Sequence, residues 1–247
     1  MSEQVAIITG AGRGIGRAIA LALARRDMNL CLAARTSAEL EQTCSLAKLA
    51  PDRVLVFPVD LARAEGPNEL AGAVIRRFGR IDMLVNNAGW ATARKVLVDV
   101  SEGELDRMLA LNLRAPISLT RIAAREMIRL GQGGTIVSVA SVAALKAPAR
   151  EAIYAAAKAG LIAFTRATFA ELRSYGIKVS AIIPGLVNTS LIPPNRALDR
   201  GRMLAPEDVA AAVMQILDAP AGACPLEIIL EPLYDPMGPV GPGGKRS

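Results

Sequence analysis

Tyr154 and Lys158 stand four residues apart in the run IYAAAK. Alanine is the strongest helix former, and residues four apart on a helix share a face. Phenol and ammonium therefore point the same way, one turn apart, where a positive charge favours the phenolate. The chain has three tyrosines and no histidine. The commonest general base and metal ligand is thus missing, and any proton transfer must use another group. On its own the pair also fits an ordinary solvated helix face, so the rest of the chain has to decide.

A second cluster lies near the start. The apolar run VAIIT leads into TGAGRGIG, with glycines at positions 10, 12, 14 and 16. Glycine lets the backbone turn tightly and approach a pyrophosphate. A helix starting near Ile15 aims its unpaired N–H groups at that anion. A bare strand-to-helix turn does not need four alternating glycines, so the segment reads as a nucleotide-binding loop. The next apolar run ends in AAR at Arg35, where an NAD site usually has an acid. Arg13, Arg35, Thr36 and Ser37 instead offer two guanidinium groups and two hydroxyls, which suit a 2′-phosphate and hence NADP.

These groups need a scaffold that brings them together. Short apolar runs alternate with longer amphipathic ones. Strands are expected at VAIITG, LCLAAR, VLVFPVD, IDMLVNNAG, TIVSVAS, IKVSAIIP and LEIILEP. Helices are expected over about 15–27, from Ser37 as N-cap, over about 104–130, around Tyr154 and Lys158, and over about 206–217. The alternation implies an α/β fold, a Rossmann-type doubly wound seven-stranded parallel sheet with helices on both faces. Such sheets bind ligands at the carboxyl ends of their strands, where the strand order reverses. No repeat or boundary divides the chain. Residues 1–235 read as a single domain, and the glycine- and proline-rich 236–247 as a mobile tail.

Composition excludes several classes. The 247 residues carry a formal net charge of +6, but the basic residues are dispersed, with no dense run and no interleaved aromatics. Nucleic-acid binding is not expected. Cys31, Cys44 and Cys224 show no CxxC or metal spacing, so reduced thiols in a cytoplasmic setting are expected and no metal. The apolar runs are too short for a signal peptide or a membrane span.

The glycine spacing, NNAG at Asn86 to Gly89, Ser141 and YAAAK, in this order and at these strand ends, resemble the short-chain dehydrogenase/reductase family. The resemblance runs from Val5 to about Glu231 and includes NADP-preferring members such as the 3-oxoacyl-acyl-carrier-protein reductases. It implies hydride transfer between NADP(H) and a carbonyl or secondary alcohol carbon, with Asn112, Ser141, Tyr154 and Lys158 as the catalytic set. Ser141 would hold the carbonyl oxygen and Tyr154 would exchange its proton. A phenol has a pKa of about 10, so bringing it near 7 takes about 4 kcal/mol. Lys158 and the oxidised nicotinamide are placed to supply this, and the resemblance also gives Lys158 the nicotinamide ribose hydroxyls.

The resemblance assigns further cofactor contacts. Gly10, Gly12, Arg13, Gly14, Ile15 and Gly16 would cradle the phosphates, with Arg35 and Thr36 at the adenosine ribose. Asn87, Ala88 and Gly89 would form a wall beside the adenine ribose, while Asn86 fixes the sheet. Asp60 and Leu61 would meet the adenine, although Asp60 reads equally as a helix N-cap. Asn112, an indifferent helix residue, would turn its carbonyl side to a water linking Lys158 to solvent. Pro184, Gly185, Val187 and Thr189 would meet the nicotinamide, through the Val187 backbone and the Thr189 hydroxyl. A homo-oligomer, by resemblance a tetramer, would pack through the helices holding Asn112 and Tyr154.

Two departures concern the substrate. The segment 191–205, expected to cover it, is short, and EPLYDPMG differs from the glycine-rich ending of acyl-carrier reductases. Arg196, Arg200 and Arg202 in that segment either meet an anionic substrate or are solvated loop charges. Two other readings compete. A sugar-nucleotide epimerase or dehydratase of related fold would need a larger substrate domain. A silent NADP(H)-binding sensor would not need serine, tyrosine and lysine together.

Overall fold

The computed structural model describes residues 4–92, 94–192 and 198–238. Seven parallel strands form one sheet in the order β3-β2-β1-β4-β5-β6-β7. They are β1 (Val5–Thr9), β2 (Asn29–Ala34), β3 (Val54–Pro58), β4 (Met83–Asn86), β5 (Gly134–Val139), β6 (Ile177–Pro184) and β7 (Glu227–Leu230). All seven match the expected runs, with no end differing by more than three residues and β6 matching at both ends. The helices are α1 (Gly14–Ala24), α2 (Ser37–Ala47), α3 (Gly66–Phe78), α4 (Glu102–Leu109), α5 (Ala115–Leu130), α6 (Ala143–Lys146), α7 (Ala152–Leu172) and α8 (Pro206–Asp218). The sequence reading did not single out α3 or the one-turn α6.

Both sheet faces are covered, because alternate strand residues point to opposite faces. Ala6, Ile8, Leu30, Leu32, Val85 and Val137 join one core layer, closed by α1 and α8. Val5, Ile7, Cys31, Leu84 and Ile136 join the other, closed by α3 and α5. Burial pushes the Cys31 thiol far above its ordinary range, so it packs as a small hydrophobe.

Pairing aligns the carboxyl ends of the strands. Thr9 lies beside Ala33, Asn86 beside Ser138, and Pro184 beside Leu230. The amino ends have their own lock. The Asp82 carboxylate accepts from the Val5 N–H at 2.8 Å and pairs with Arg80 through both of its oxygens. A buried carboxylate needs such partners.

The expected long helix from 104 to 130 is three consecutive pieces. Between α4 and α5 lies a wide turn of π type, Ala110–Arg114, and Asn112 sits in it. Two ends differ from expectation. Helix α1 stops at Ala24, and Asp27 beyond it has φ +56. Helix α2 is capped at Thr36, whereas Ser37 is its first residue and donates its hydroxyl to Glu41. Residues 236–238 of the expected tail form a turn, where the Pro236 carbonyl accepts from the Asp199 N–H at 2.9 Å. Residues 239–247 lie outside the described residues. Among the described residues no helix is long and apolar enough to cross a membrane, and no cluster could hold a metal.

Candidate active site

The strand order reverses between β1 and β4, and the glycine turn and NNAG sit on the two sides of that point. Thr9 joins them. Its hydroxyl donates to the Val85 carbonyl at 3.2 Å and accepts from Asn87 N–H at 2.9 Å and Ala88 N–H at 3.0 Å. The Asn87 amide donates back to the Thr9 carbonyl at 2.8 Å. Asn86 turns inward and donates to Thr120 Oγ1 at 3.0 Å, tying β4 to α5 as expected of a sheet-fixing residue.

The glycine turn has the shape an anion cradle needs. Gly10 and Gly14 have φ of +67 and +51, which other residues resist. A Cβ on Gly16 would run into the Gly10 carbonyl, so α1 and the turn touch backbone to backbone. No side chain caps α1, and its first turn, which includes Ile15, has no acid. Its leading N–H groups are thus left for an anion. Arg17 and Thr43 brace the turn from behind. Both hydrogen-bond the Gly12 carbonyl, and Thr43 also donates to the Ala11 carbonyl at 2.9 Å. Neither these two nor Thr9 was singled out in the sequence. The contacts of Thr9 and Thr43 join positions far apart in the chain, so no local pattern marks them.

Arg35 and Thr36 are exposed just past β2, and the Thr36 hydroxyl makes no capping bond. Arg13 is partly engaged, 3.6 Å from Glu39. Asp60 is not a helix N-cap. Its carboxylate accepts from the Ala62 N–H at 3.0 Å and faces Arg107 at 3.3 Å. Leu61 beside it is buried. Arg107 in turn lies over the Trp90 ring.

The catalytic candidates converge beyond β5. Ser141 lies two residues past the strand, and its oxygen accepts from the Ala143 N–H at 3.1 Å. Lys158 is buried and donates to the Val139 carbonyl at 2.9 Å. Its Nζ is 5.8 Å from the centroid of the Tyr154 ring. Asn112 is fully buried, and both ends of its amide hold Trp90: Nδ2 donates to the Trp90 carbonyl at 2.6 Å, and Oδ1 accepts from the Trp90 N–H at 3.3 Å. The side-chain carbonyl expected to face water is therefore used on Trp90. Gly89 lacks a side chain where one would meet both Asn112 Oδ1 and Lys158 Nζ.

The electrostatics differ from the lysine-tuned phenol expected. Burial pushes the Tyr154 pKa up, a hydrogen bond from Ser141 draws it back, and the Glu151 carboxylate adds to the rise. Burial also lowers Lys158 to about 8. The resting phenol is neutral, and the lysine is close to giving up its proton.

On the far side, β6 ends at Pro184, and the Gly185 N–H donates to the Leu230 carbonyl at 2.7 Å. Leu204 bridges to this segment through the Leu186 carbonyl at 2.9 Å and the Asn188 N–H at 2.8 Å. In an extended chain alternate residues face opposite ways, so the N–H and C=O of Val187 point away from Leu204. Thr189 packs against Gly14, closing the ring of segments. Arg200 is spent internally, on Asn188 Oδ1 at 2.7 Å and the Ile192 carbonyl at 2.6 Å. Arg202 pairs with Asp199 at 3.2 Å. Arg196 lies outside the described residues.

Comparison with known proteins matches this arrangement. The family profile described as short chain dehydrogenase covers residues 4–198. An uncharacterized oxidoreductase of Staphylococcus aureus is 31% identical over 233 residues, which are 94% of this chain and 99% of that one. A metagenomic short-chain oxidoreductase in complex with NADP superposes with a TM-score of 0.81 at 30% identity, covering 94% of this chain and 98% of its own. A 3-ketoacyl-(acyl-carrier-protein) reductase from Brucella melitensis complexed with NADH gives a TM-score of 0.84 at 27% identity, over 94% and 99% of the two chains. With the seven-stranded sheet and its glycine turn, these matches show that the chain belongs to the short-chain dehydrogenases, a family of oxidoreductases.

Proposed function

We propose that the protein transfers hydride between NADP(H) and a carbonyl or secondary alcohol carbon, with Tyr154 as acid and base. The observation that carries this reading is the meeting of Ser141, Tyr154 and Lys158 beyond β5, on the same sheet edge as the glycine turn. When bound, the nicotinamide supplies or accepts the hydride. Negative charge then develops on the carbonyl oxygen, and a donor must hold it and deliver a proton. The Ser141 hydroxyl holds that oxygen, and the neutral Tyr154 phenol gives up its proton. Lys158 recharges the phenolate side of the site, which a near-neutral pKa permits, and it holds the nicotinamide ribose. Asn112 holds the Trp90 backbone in place next to Gly89, which faces Lys158.

The remaining residues hold the cofactor. Gly10, Gly12, Gly14 and the start of α1 receive the pyrophosphate, with Asn87, Ala88 and Gly89 beside the ribose and Leu61 by the adenine. Pro184, Gly185 and Thr189 flank the nicotinamide, and the outward N–H and C=O of Val187 match a carboxamide. The related structures carry NADP in one case and NADH in another, so the choice rests on Arg35, Thr36 and Arg13. A reducing, cytoplasmic setting suits the three free cysteines.

Self-association has one clear surface. Along α7, the exposed residues Ala152, Ala156, Ala159, Ala163, Ala167 and Ala170 form a stripe of small side chains. Two helices can approach closely along such a stripe. Helix α5 instead exposes Arg121, Arg125 and Arg129 beside Ile128, so α7 is the stronger candidate. Light scattering at micromolar concentration should show a dimer or tetramer, and a monomer would exclude this reading.

Tyr154→Phe keeps the ring and removes the proton. Turnover of NADPH against a panel of carbonyl compounds should drop by about 10²- to 10⁴-fold, with cofactor affinity nearly unchanged. Since burial raises the phenol, alcohol oxidation by the wild type should speed up toward alkaline pH, as the base form appears. Wild-type rates in the variant would overturn the role of Tyr154.

Lys158 makes a prediction for stability. A lysine at about 8 when folded and 10.5 when unfolded is neutral only in the folded state between those values. Unfolding then takes up a proton, so this group destabilises the fold progressively as pH falls from 10.5 to 8 and by a constant amount below. At about 1.4 kcal/mol per unit, the effect is about 3 kcal/mol. Lys158→Met should lose turnover and cofactor affinity. Urea unfolding of the wild type, compared with that variant, should gain about 3 kcal/mol as pH rises through the window. Parallel stability curves would refute the depressed lysine.

Arg35 should set the cofactor preference. A guanidinium contact to a 2′-phosphate contributes about 1.5–3 kcal/mol, roughly tenfold to hundredfold in favour of NADPH. Arg13 adds less, because Glu39 shares it. Arg35→Asp should reverse the kcat/KM ratio of the two cofactors. A wild type that favours NADH, or a ratio that does not move, would leave Arg35 a solvated charge.

A further inference from the structure

A pocket opens beside Tyr154. Its apolar lining includes Leu97, Val100 and Met108, and its charged lining is Lys95, Arg150 and Glu151. The three charges differ. Lys95 donates to Glu104 at 2.6 Å, and Glu151 accepts from Arg94 at 2.7 Å. Arg150 makes no hydrogen bond or ion pair with any of the described residues. It is the one pocket charge without a counter-ion among them.

Its backbone is also unusual. Arg150 has φ +69, in the left-handed region, and Ala147 in the same loop has φ +44. Glycine would occupy such a position freely, whereas a long side chain there is strained. Strain of this kind is often held at ligand-binding sites. The loop runs directly into α7, so the strained residue is fixed four positions before Tyr154. The lid arginines that could have met an anion, Arg200 and Arg202, are spent on their own loop.

Building on the oxidoreductase reading, we propose that Arg150 selects the substrate. It pairs with an anionic group, a carboxylate or a phosphate, on an aliphatic carbonyl compound whose chain lies along Leu97, Val100 and Met108. The planar guanidinium fork matches both anions, and the apolar wall matches the chain that carries them.

The test reads binding as well as turnover. A straight-chain fatty acid, the alkyl phosphate of equal length and the matching neutral amide are titrated by calorimetry into the full chain, with and without NADP. In the wild type at least one anion should bind about tenfold to hundredfold more tightly than the amide. The ratio should shrink with added salt if the group stays partly solvated. Arg150→Gly suits the left-handed backbone and should fold, and in it the ratio should fall to near one. Arg150→Lys should keep part of it. The better of the two anions identifies the substrate's charged group. Equal affinity for anion and amide in the wild type, no binding of either anion, or an unchanged ratio in Arg150→Gly would each overturn the proposal. Selective anion binding without reduction of any carbonyl compound would leave the anion pocket standing and sink the oxidoreductase reading instead.

Discussion

The Thr9 hydroxyl is the point on which the site depends. It sits where the sheet reverses its strand order, and its three hydrogen bonds join the end of β1 to the end of β4. On the β1 side it fixes where the glycine turn begins. On the β4 side it fixes Asn87 and Ala88, and through them Gly89. Gly89 faces Asn112 and Lys158, so one hydroxyl sets the distance between the anion cradle and the proton-handling residues. A serine would make the same bonds but without the methyl that restricts the side-chain rotamer.

Burial is the second constraint, and it acts on Tyr154 and Lys158 in opposite senses. It raises the phenol and lowers the ammonium. The two groups, ordinarily close in proton affinity, are thereby driven apart, so the phenol holds its proton more tightly than the ammonium does and a proton passes downhill from Lys158 to a Tyr154 phenolate. Among the described residues, the lysine's hydrogen-bond partner is one backbone carbonyl, that of Val139. The site therefore keeps a buried amine that a more stable fold would replace with an apolar residue.

Much of this was legible in the chain. The seven strands were readable because short apolar runs between turn residues have few other uses, and the glycine run announced the first crossover. What was not legible was the geometry of exceptions. Asn112 reads as a poor helix residue, but nothing local shows that the helix widens around it or that its amide grips Trp90. Asp60 reads as a cap, yet its carboxylate is taken by a short turn and by Arg107, far away in sequence. Spacing alone placed Lys158 beside Tyr154, but the sign of the pKa shifts came from how deeply each is enclosed. The lid arginines Arg200 and Arg202 were open to a substrate role, because their acceptors, the Asn188 side chain and Ile192 carbonyl for one and the Asp199 carboxylate for the other, are brought to them only by the folded loop.

The wide turn at Ala110–Arg114 has a consequence for how this protein can change. It places an extra residue in an otherwise continuous helix. The wide turn absorbs that residue locally, because its extra residue per turn leaves the helices on either side in phase. Deleting one residue there would restore ordinary winding and leave the face of α5 carrying Leu119, Ala123 and Met127 packed on the sheet. What would be lost is the position from which the Asn112 amide holds Trp90. The asparagine's position can therefore be gained or lost by a single-residue insertion or deletion that spares the packing of α5.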